Sequence, residues 1–404
     1  MKQVLQNMRD GKTTVSEVPI PSIRPGMALV RTGASLVSAG TERMVVEFAE
    51  KNLLGKARSR PDLVRQLLDK ANREGLLTTI QAALNRLDQP MSLGYSSAGY
   101  IEQVSPDLIE FKPGDRVACA GGGFAVHAEY ALVPKNLMVH IPDDVDFESA
   151  AFTTLGAIAL HGFRLAGSQL GEYVAIIGMG LLGLLAAGIA RAAGCHVFGV
   201  DRSLNRVQLA NQLGFKTVLR SDAVSNGQNV SSGSGFDSIL VCADTQSNAP
   251  VELAGILARD RATIVAVGAV GFQIPRKLYY EKELKFLVSR SYGPGRYDPA
   301  YEERGHDYPA GYIRWTESRN FAAFIDLMAQ EKIDVKPLIS HRFPITQAPE
   351  AYELITGKTG QSFLGVVLTY PQSLIDNARK RLEIQSRKLQ PTGNQLLMYL
   401  WLHR

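Results

Sequence analysis

The strongest chemical signal in the chain is the run Gly178-Met179-Gly180-Leu181-Leu182-Gly183. It reads G-x-G-x-x-G, follows an apolar stretch at residues 173–177 and opens a second apolar stretch. Asp201 ends the next strand-like segment, VFGVD, at the spacing that a dinucleotide fingerprint requires. Each position has a physical task. Gly178 makes the tight turn, Gly180 lets the backbone approach a pyrophosphate, and Gly183 lets strand and helix pack closely. Leu181 and Leu182 open a helix whose free N–H groups face the phosphate charge. Asp201 accepts hydrogen bonds from the adenosine ribose and repels a 2′-phosphate, so NAD is expected, with NADP as the alternative. Arg202 follows directly and blunts that repulsion. The bland reading is a Gly-rich turn in some other α/β protein, with Asp201 only capping a helix.

The elements that must position these residues are legible from pattern. Residues 171 to about 290 alternate strand-like and helix-like runs, which predicts α/β architecture with a doubly wound parallel sheet. The uncharged run Val174 to Ala190 is nearly long enough for a membrane span, but its glycines argue for a buried strand and helix. Before this lie short apolar runs at residues 1–42, a helical pattern at 43–90, and strand signals again at 91–142. After it come an aromatic, Gly/Pro-rich stretch from Ser291, two helical runs and a last strand, FLGVVLTYP. The expected units are 1–150 (with a helical insert at 43–90), 151–290, 291–371 and a tail at 372–404. The tail is basic and then apolar, and reads as a solvated or partner-bound appendage.

Composition narrows the class. The chain has 404 residues and a net charge of +5, from 44 Lys and Arg against 39 Asp and Glu. That excess forms no basic arm, so nucleic acid is not an expected partner. The three cysteines, Cys119, Cys195 and Cys242, are far apart and suggest neither a disulfide framework nor a C-x-x-C zinc pair. Such cysteine usage suits a reducing cytoplasm, the expected location; the N-terminus has no apolar core of signal-peptide length, so secretion is not expected, and no membrane span is expected either.

The layout resembles the medium-chain dehydrogenase/reductases over residues 1–371. FKPGDRVA, HAEYALVP, GEYVAIIGMGLLG and ATIVAVGAVG carry the likeness. It implies a GroES-like β module joined to a Rossmann domain, and it places Thr154 and Gly268 around the cofactor. Zinc-dependent members hold the metal with a Cys in a C-G-T-D-like loop, a His in G-H-E and a further Cys. Here the loops read Ala39-Gly40-Thr41-Glu42 and Gly94-Tyr95-Ser96, and the third position falls near Thr154. No Cys or His remains there, so no zinc is expected. SAGTER, NRLDQP, LGYSSAG and SYGPGRYDPAYEERGHDYPAGYIRWTESRNF look like the medium-chain half of bacterial bi-domain oxidoreductases associated with polysaccharide biosynthesis. In those proteins a Gfo/Idh/MocA-like half follows. The expectation is a truncated or split version, with such an oxidoreductase as partner and a homo-oligomeric assembly.

Hydride transfer needs a group that stabilises charge on the reacting oxygen. By this resemblance Thr41 matches a proton-relay hydroxyl and Tyr95 stands where a zinc-binding His would be. Tyr95 then donates a hydrogen bond, acts as general acid if its pKa is lowered, or merely fills the vacant position. Glu42 is expected to pair with Arg43. Tyr292, Arg296, Arg314 and Trp315 form the expected substrate-binding set, because aromatic faces stack on sugars and arginines clamp anions. The competing view of that segment is a structural loop. His127 and His161 read as packing. The function expected is a zinc-independent, NAD-linked oxidoreductase acting on a polar, sugar-like or nucleotide-sugar substrate. The alternatives are an NADPH-dependent quinone or enoyl reductase and a non-catalytic NAD-binding subunit.

Overall fold

The computed structural model describes residues 1–52, 55, 56, 58 and 88–371. Most of the expected insert and all of the tail after residue 371 lie outside the described residues.

Strands β1 (Lys2–Gln6) and β2 (Thr13–Glu17) pair antiparallel, and β4 (Met91–Ser92) adds to β1. The long strand β3 (Met27–Val37) anchors a seven-stranded sheet. Its other members are β5 (Ser96–Val104), β6 (Arg116–Ala120), β7 (Tyr130–Pro134), β8 (Met138–His140), β15 (Ile339–Pro344) and β16 (Gly365–Thr369). The main order is β15-β16-β3-β5-β6-β8, with β7 also on β3. The chain therefore returns from its C-terminal third to complete the first module. Ten of the eleven residues of β3 are buried, so both faces of this strand are covered. Helix α1 (Thr41–Glu50) follows that strand.

Between these parts lies a six-stranded parallel sheet of order β11-β10-β9-β12-β13-β14. Its strands are β9 (Tyr173–Ile177), β10 (His196–Asp201), β11 (Thr217–Leu219), β12 (Phe236–Val241), β13 (Ala258–Ala266) and β14 (Lys285–Val288). In chain order within this sheet that is 3-2-1-4-5-6, the doubly wound arrangement that binds ligands at the carboxyl ends of the central strands. The architecture is α/β with a doubly wound parallel sheet, as the alternation over residues 171–290 predicts, joined to a separate β module. The uncharged run is β9 followed by helix α3 (Leu181–Ala192), buried between sheet and neighbouring helices. Among the described residues no helix is long and apolar enough to cross a membrane.

Helix α2 (Thr153–Ala166) joins the two modules. It packs on α3, on β13 and on helix α5 (Glu317–Ala329), and α4 (Leu204–Gln212) follows β10. Its glycines permit that closeness. A Cβ on Gly156 would fall 2.3 Å from the Phe324 ring. Helix α6 (Ala348–Ile355) returns beside α1.

Candidate functional site

The glycine fingerprint forms an open cradle at the end of β9. Gly178 has φ +98°, and a Cβ there would sit 2.7 Å from the Ala243 amide nitrogen. A Cβ on Gly183 would sit 1.9 Å from the Gly178 carbonyl oxygen, so any side chain would push α3 off the turn. Gly180 differs. The nearest atom to a Cβ there is an Arg206 guanidinium nitrogen, at 3.7 Å. Fold closure requires two of the three glycines, whereas the third opens space in front of a helix N-terminus. Helix α3 starts there with no side-chain cap, leaving its first N–H groups free for an anion. Leu181 and Leu182 form its half-buried first turn. Gly268 lies where β12 and β13 end, and a Cβ on it would meet the Ala243 carbonyl oxygen at 2.1 Å.

Asp201 is buried at the tip of β10. Its Oδ2 accepts from the Met179 amide at 2.7 Å and its Oδ1 from the Ser203 amide at 2.8 Å. The carboxylate is thus tied to the glycine turn. Arg202, the expected modulator, is exposed; Arg206, one turn along α4, is the cation that approaches Asp201, at 3.8 Å. Sequence reasoning missed Arg206 because only helical periodicity, not adjacency, brings it back to the strand end. Cradle, helix terminus and carboxylate together fit a dinucleotide.

A second group gathers where the two modules meet. Gly94 has φ +98° and lies so close to the His127 backbone that a Cβ would be 2.5 Å from its nitrogen. This turn delivers Tyr95, whose hydroxyl donates to Ser38 Oγ at 2.8 Å. Ser38 Oγ also accepts from the Thr41 amide at 3.4 Å. Thr154, in the first turn of α2, donates to the Tyr95 carbonyl at 3.4 Å and the Cys119 carbonyl at 3.5 Å. Tyr95, Thr41 and Thr154 are therefore neighbours. Thr154 lies against the Tyr95 backbone rather than at the glycine turn.

Burial pushes the Tyr95 phenol up to about 12; the Glu42 carboxylate adds to this, while Ser38 and Thr41 oppose it. The lowered pKa that a free general acid would need is absent, and the phenol is a hydrogen-bond donor.

Glu42 does not pair with Arg43, which bonds Glu47 on the next turn of α1. Glu42 is buried and accepts from the Ser38 amide at 2.9 Å, from His127 Nε2 at 3.1 Å and from the Tyr352 hydroxyl. His127 Nδ1 lies 2.7 Å from Ser35 Oγ, which lies 2.8 Å from the Tyr370 hydroxyl. Tyr370, Ser35, His127 and Glu42 are joined in one continuous buried hydrogen-bond chain. His127 is thus a network member and not simple packing.

The 291–319 segment folds largely onto itself. Tyr292 is buried, and Arg296 pairs with Glu302 at 2.5 Å while stacking on Tyr292 and Tyr297. Those two expected substrate residues are held by internal contacts, because the loop carries its own counter-charge six residues on. Arg296 still lines a cleft of about 450 Å³ with His161, Arg290, Gly293, Tyr297, Asp298, Tyr308 and Ile313. Arg314 is exposed, and it lies over the half-buried Trp315 ring at 3.9 Å.

The three positions that the resemblance matches to zinc ligands, Ala39, Tyr95 and Thr154, offer a methyl group, a phenol and an alcohol. The phenol and the alcohol already donate elsewhere, and tetrahedral zinc takes thiolate, imidazole or carboxylate. This donor set does not fit zinc. Among the described residues no three His, Cys, Asp or Glu side chains gather closely enough to hold a metal.

Two families match the chain. Residues 71–143 match the alcohol dehydrogenase GroES-like domain, and residues 182–303 match the family described as zinc-binding dehydrogenase. Among curated relatives, the D-xylulose reductase of Saccharomyces cerevisiae is 26% identical over 305 residues, covering 66% of this chain and 78% of its own. The sorbitol dehydrogenase of Gallus gallus is 28% identical over 300 residues, covering 67% and 78%. The crystal structure of galactitol-1-phosphate dehydrogenase from Escherichia coli superposes with a TM-score of 0.69 at 22% identity, covering 91% of this chain and 100% of its own. That last likeness is one of fold.

Proposed function

The chain belongs to the medium-chain dehydrogenase/reductase superfamily and is an NAD(P)-dependent oxidoreductase, and from that premise we propose that it interconverts alcohol and carbonyl forms of a polar, polyol- or sugar-type substrate with NAD(H) and without zinc. The observation that carries this reading is the Tyr95 phenol, aimed at Ser38 in the place of a metal ligand and raised to about 12. When bound, the nicotinamide supplies or accepts the hydride. Gly180 and the first turn of α3 would hold the pyrophosphate, and Asp201 would hold the adenosine ribose.

The protein's own chemistry is then at the substrate oxygen. With its O–H turned from Ser38 to that oxygen, Tyr95 would donate a hydrogen bond to it and stabilise negative charge as it develops, while the Ser38 hydroxyl donates to the phenol oxygen in turn. A phenol with so high a pKa does not dissociate alone, so proton delivery from it must be matched by resupply. Ser38 stands beside it for that step, with Thr41 exposed toward water. Glu42, fixed by His127 and Tyr352, holds the Ser38 amide and hence the relay's position. The substrate class rests on the polyol names of the relatives. A partner of the Gfo/Idh/MocA type and a role in polysaccharide biosynthesis belong to the same reading, and rest on the resemblance of the 291–319 text.

The test uses full-length protein purified without chelator. NAD-linked turnover on a polyol panel should proceed with metal far below stoichiometric. Tyr95→Phe should lower kcat roughly a hundredfold, about 3 kcal/mol in the transition state, with NADH affinity unchanged. Asp201→Ala should narrow the preference for NAD(H) over NADP(H). Stoichiometric zinc lost together with activity would overturn the mechanism, and wild-type kinetics in Tyr95→Phe would reduce that residue to a filler.

A further inference from the structure

Helix α2 carries a second set of side chains that the chemistry at Tyr95 leaves unused. His161 and Arg164 lie one turn apart and share a face. That face meets the 291–319 segment. A Cβ on Gly293 would approach His161 Nδ1 to 3.2 Å, and the Arg164 guanidinium lies 3.2 Å from the centre of the Trp315 ring. Arg314 lies over the same ring at 3.9 Å. At those distances the two cannot share one face, so they sandwich the indole with their carbons up to about 7 Å apart, close enough to repel in a half-buried setting.

Two other arginines of the segment are neutralised internally, Arg296 by Glu302 and Arg319 by Asp307. Among the described residues, Arg164 and Arg314 have no carboxylate within ion-pair distance. The Arg164 Nε–H is also buried with no acceptor. Burial, followed by the charge of Arg314, brings Arg164 down to about 10. Aromatic stacking orients both cations but leaves their in-plane donors open. Buried unpaired donors are rare in folded proteins and call for a partner. Two unneutralised guanidinium groups sharing one indole call for a negative one.

We propose that Arg164 and Arg314, braced on opposite faces of Trp315, form a binding site for a diphosphate-type oxyanion at the edge of that ring, beside the cleft lined by His161, Arg290 and Ile313. Thr154 and Arg164 are ten positions apart on α2, about 15 Å along its axis. Since Thr154 touches Tyr95, the oxyanion lies farther from the reacting carbon than a single sugar ring spans. It belongs either to an extended phosphorylated ligand, such as a nucleoside diphosphate sugar, or to a separate phosphate. The site stands apart from the polyol reading and survives if that reading fails.

Trp315 and Trp401 are the chain's two tryptophans, so Trp401→Phe leaves Trp315 as the sole indole reporter. In that background, inorganic pyrophosphate should change Trp315 emission saturably, beyond a chloride control of equal ionic strength. Arg164→Gln and Arg314→Gln should each weaken the response about tenfold or more, as loss of a charge-assisted hydrogen bond predicts. Arg314 is exposed, so its variant tests the site without risk to folding; unchanged NADH binding confirms that. A tighter response to uridine diphosphate glucose than to pyrophosphate assigns the anion to an extended ligand, and equal responses assign it to free phosphate; both support the site. No saturable change, or one that survives in both variants, overturns it.

Discussion

Glu317 is fully buried at the start of α5, and neither of its carboxyl oxygens meets a donor. Burial, reinforced by the Glu302 charge and opposed by Arg296, pushes it up to about 9. The folded protein therefore keeps a proton there that the unfolded chain releases near the ordinary value of 4.5. Stability from this source is complete below about pH 4.5 and is lost as pH rises through about 9. Glu317→Gln keeps the neutral shape and removes the titration, so its melting temperature should fall less than wild type between pH 6 and 9, in the range set by this shift. Parallel curves for the two proteins would show that Glu317 is ionised when folded. No sequence pattern announced this residue, since a Glu in the first turn of a helix normally signals a solvated carboxylate favoured by the dipole. What buries it is the loop from Pro294, whose carbonyl takes the Glu317 amide.

At the scale of the element, the turn between β9 and α3 separates folding from binding within six residues. Gly183→Ala places a methyl 1.9 Å from a backbone oxygen and must displace the helix. It should cost about 1–3 kcal/mol, the usual range for overpacking, and weaken dinucleotide binding with it. Gly180→Ala meets only the flexible end of Arg206 at 3.7 Å. It should melt within a degree or two of wild type yet bind NADH more weakly, because the added methyl occupies the open space before α3. Thermal melts and NADH titration of both variants check this, and equal melting losses would remove the distinction. This element was readable in advance because its physics is local: strand, turn, helix and acid are all written within 30 residues. Arg206 and the Glu42 network were not, since their partners come from distant turns. Glu42 seemed paired with its neighbour Arg43, but α1 points the two to different faces, and burial selects His127 and Tyr352.

For the whole molecule, the consequential fact is that the first module is finished by the last described third of the chain. Strand β16 pairs with β3, and Tyr352 and Tyr370 close the hydrogen-bond chain that runs through His127 to Glu42. Removing one acceptor there leaves several buried donors unmatched, at about 1–3 kcal/mol each. Glu42→Gln should therefore speed amide exchange in β3, β5 and β16 while leaving β9, β10 and β12 near their native protection. Uniform loss of protection would mean that the two sheets unfold as one unit. The alternation of residues 171–290 made the second sheet legible. The pairing of β3 with β16 was not, because period-two apolar patterns say which residues are buried and not which strand lies beside which.

That return of the chain also sets a timetable during synthesis. Ser35 and Tyr370 are 335 residues apart, so at roughly 5–20 residues per second the ribosome needs on the order of twenty seconds to a minute to deliver the partner. The Rossmann strands, contiguous from 173 to 288, are all made within that wait. A nascent chain thus owns a complete nucleotide cradle while β3 still shows an open edge, the kind of edge that attracts other strands. The parallel sheet can close before the first module, begun earlier, receives its last two strands, and the interval between them is when the polypeptide most needs a chaperone.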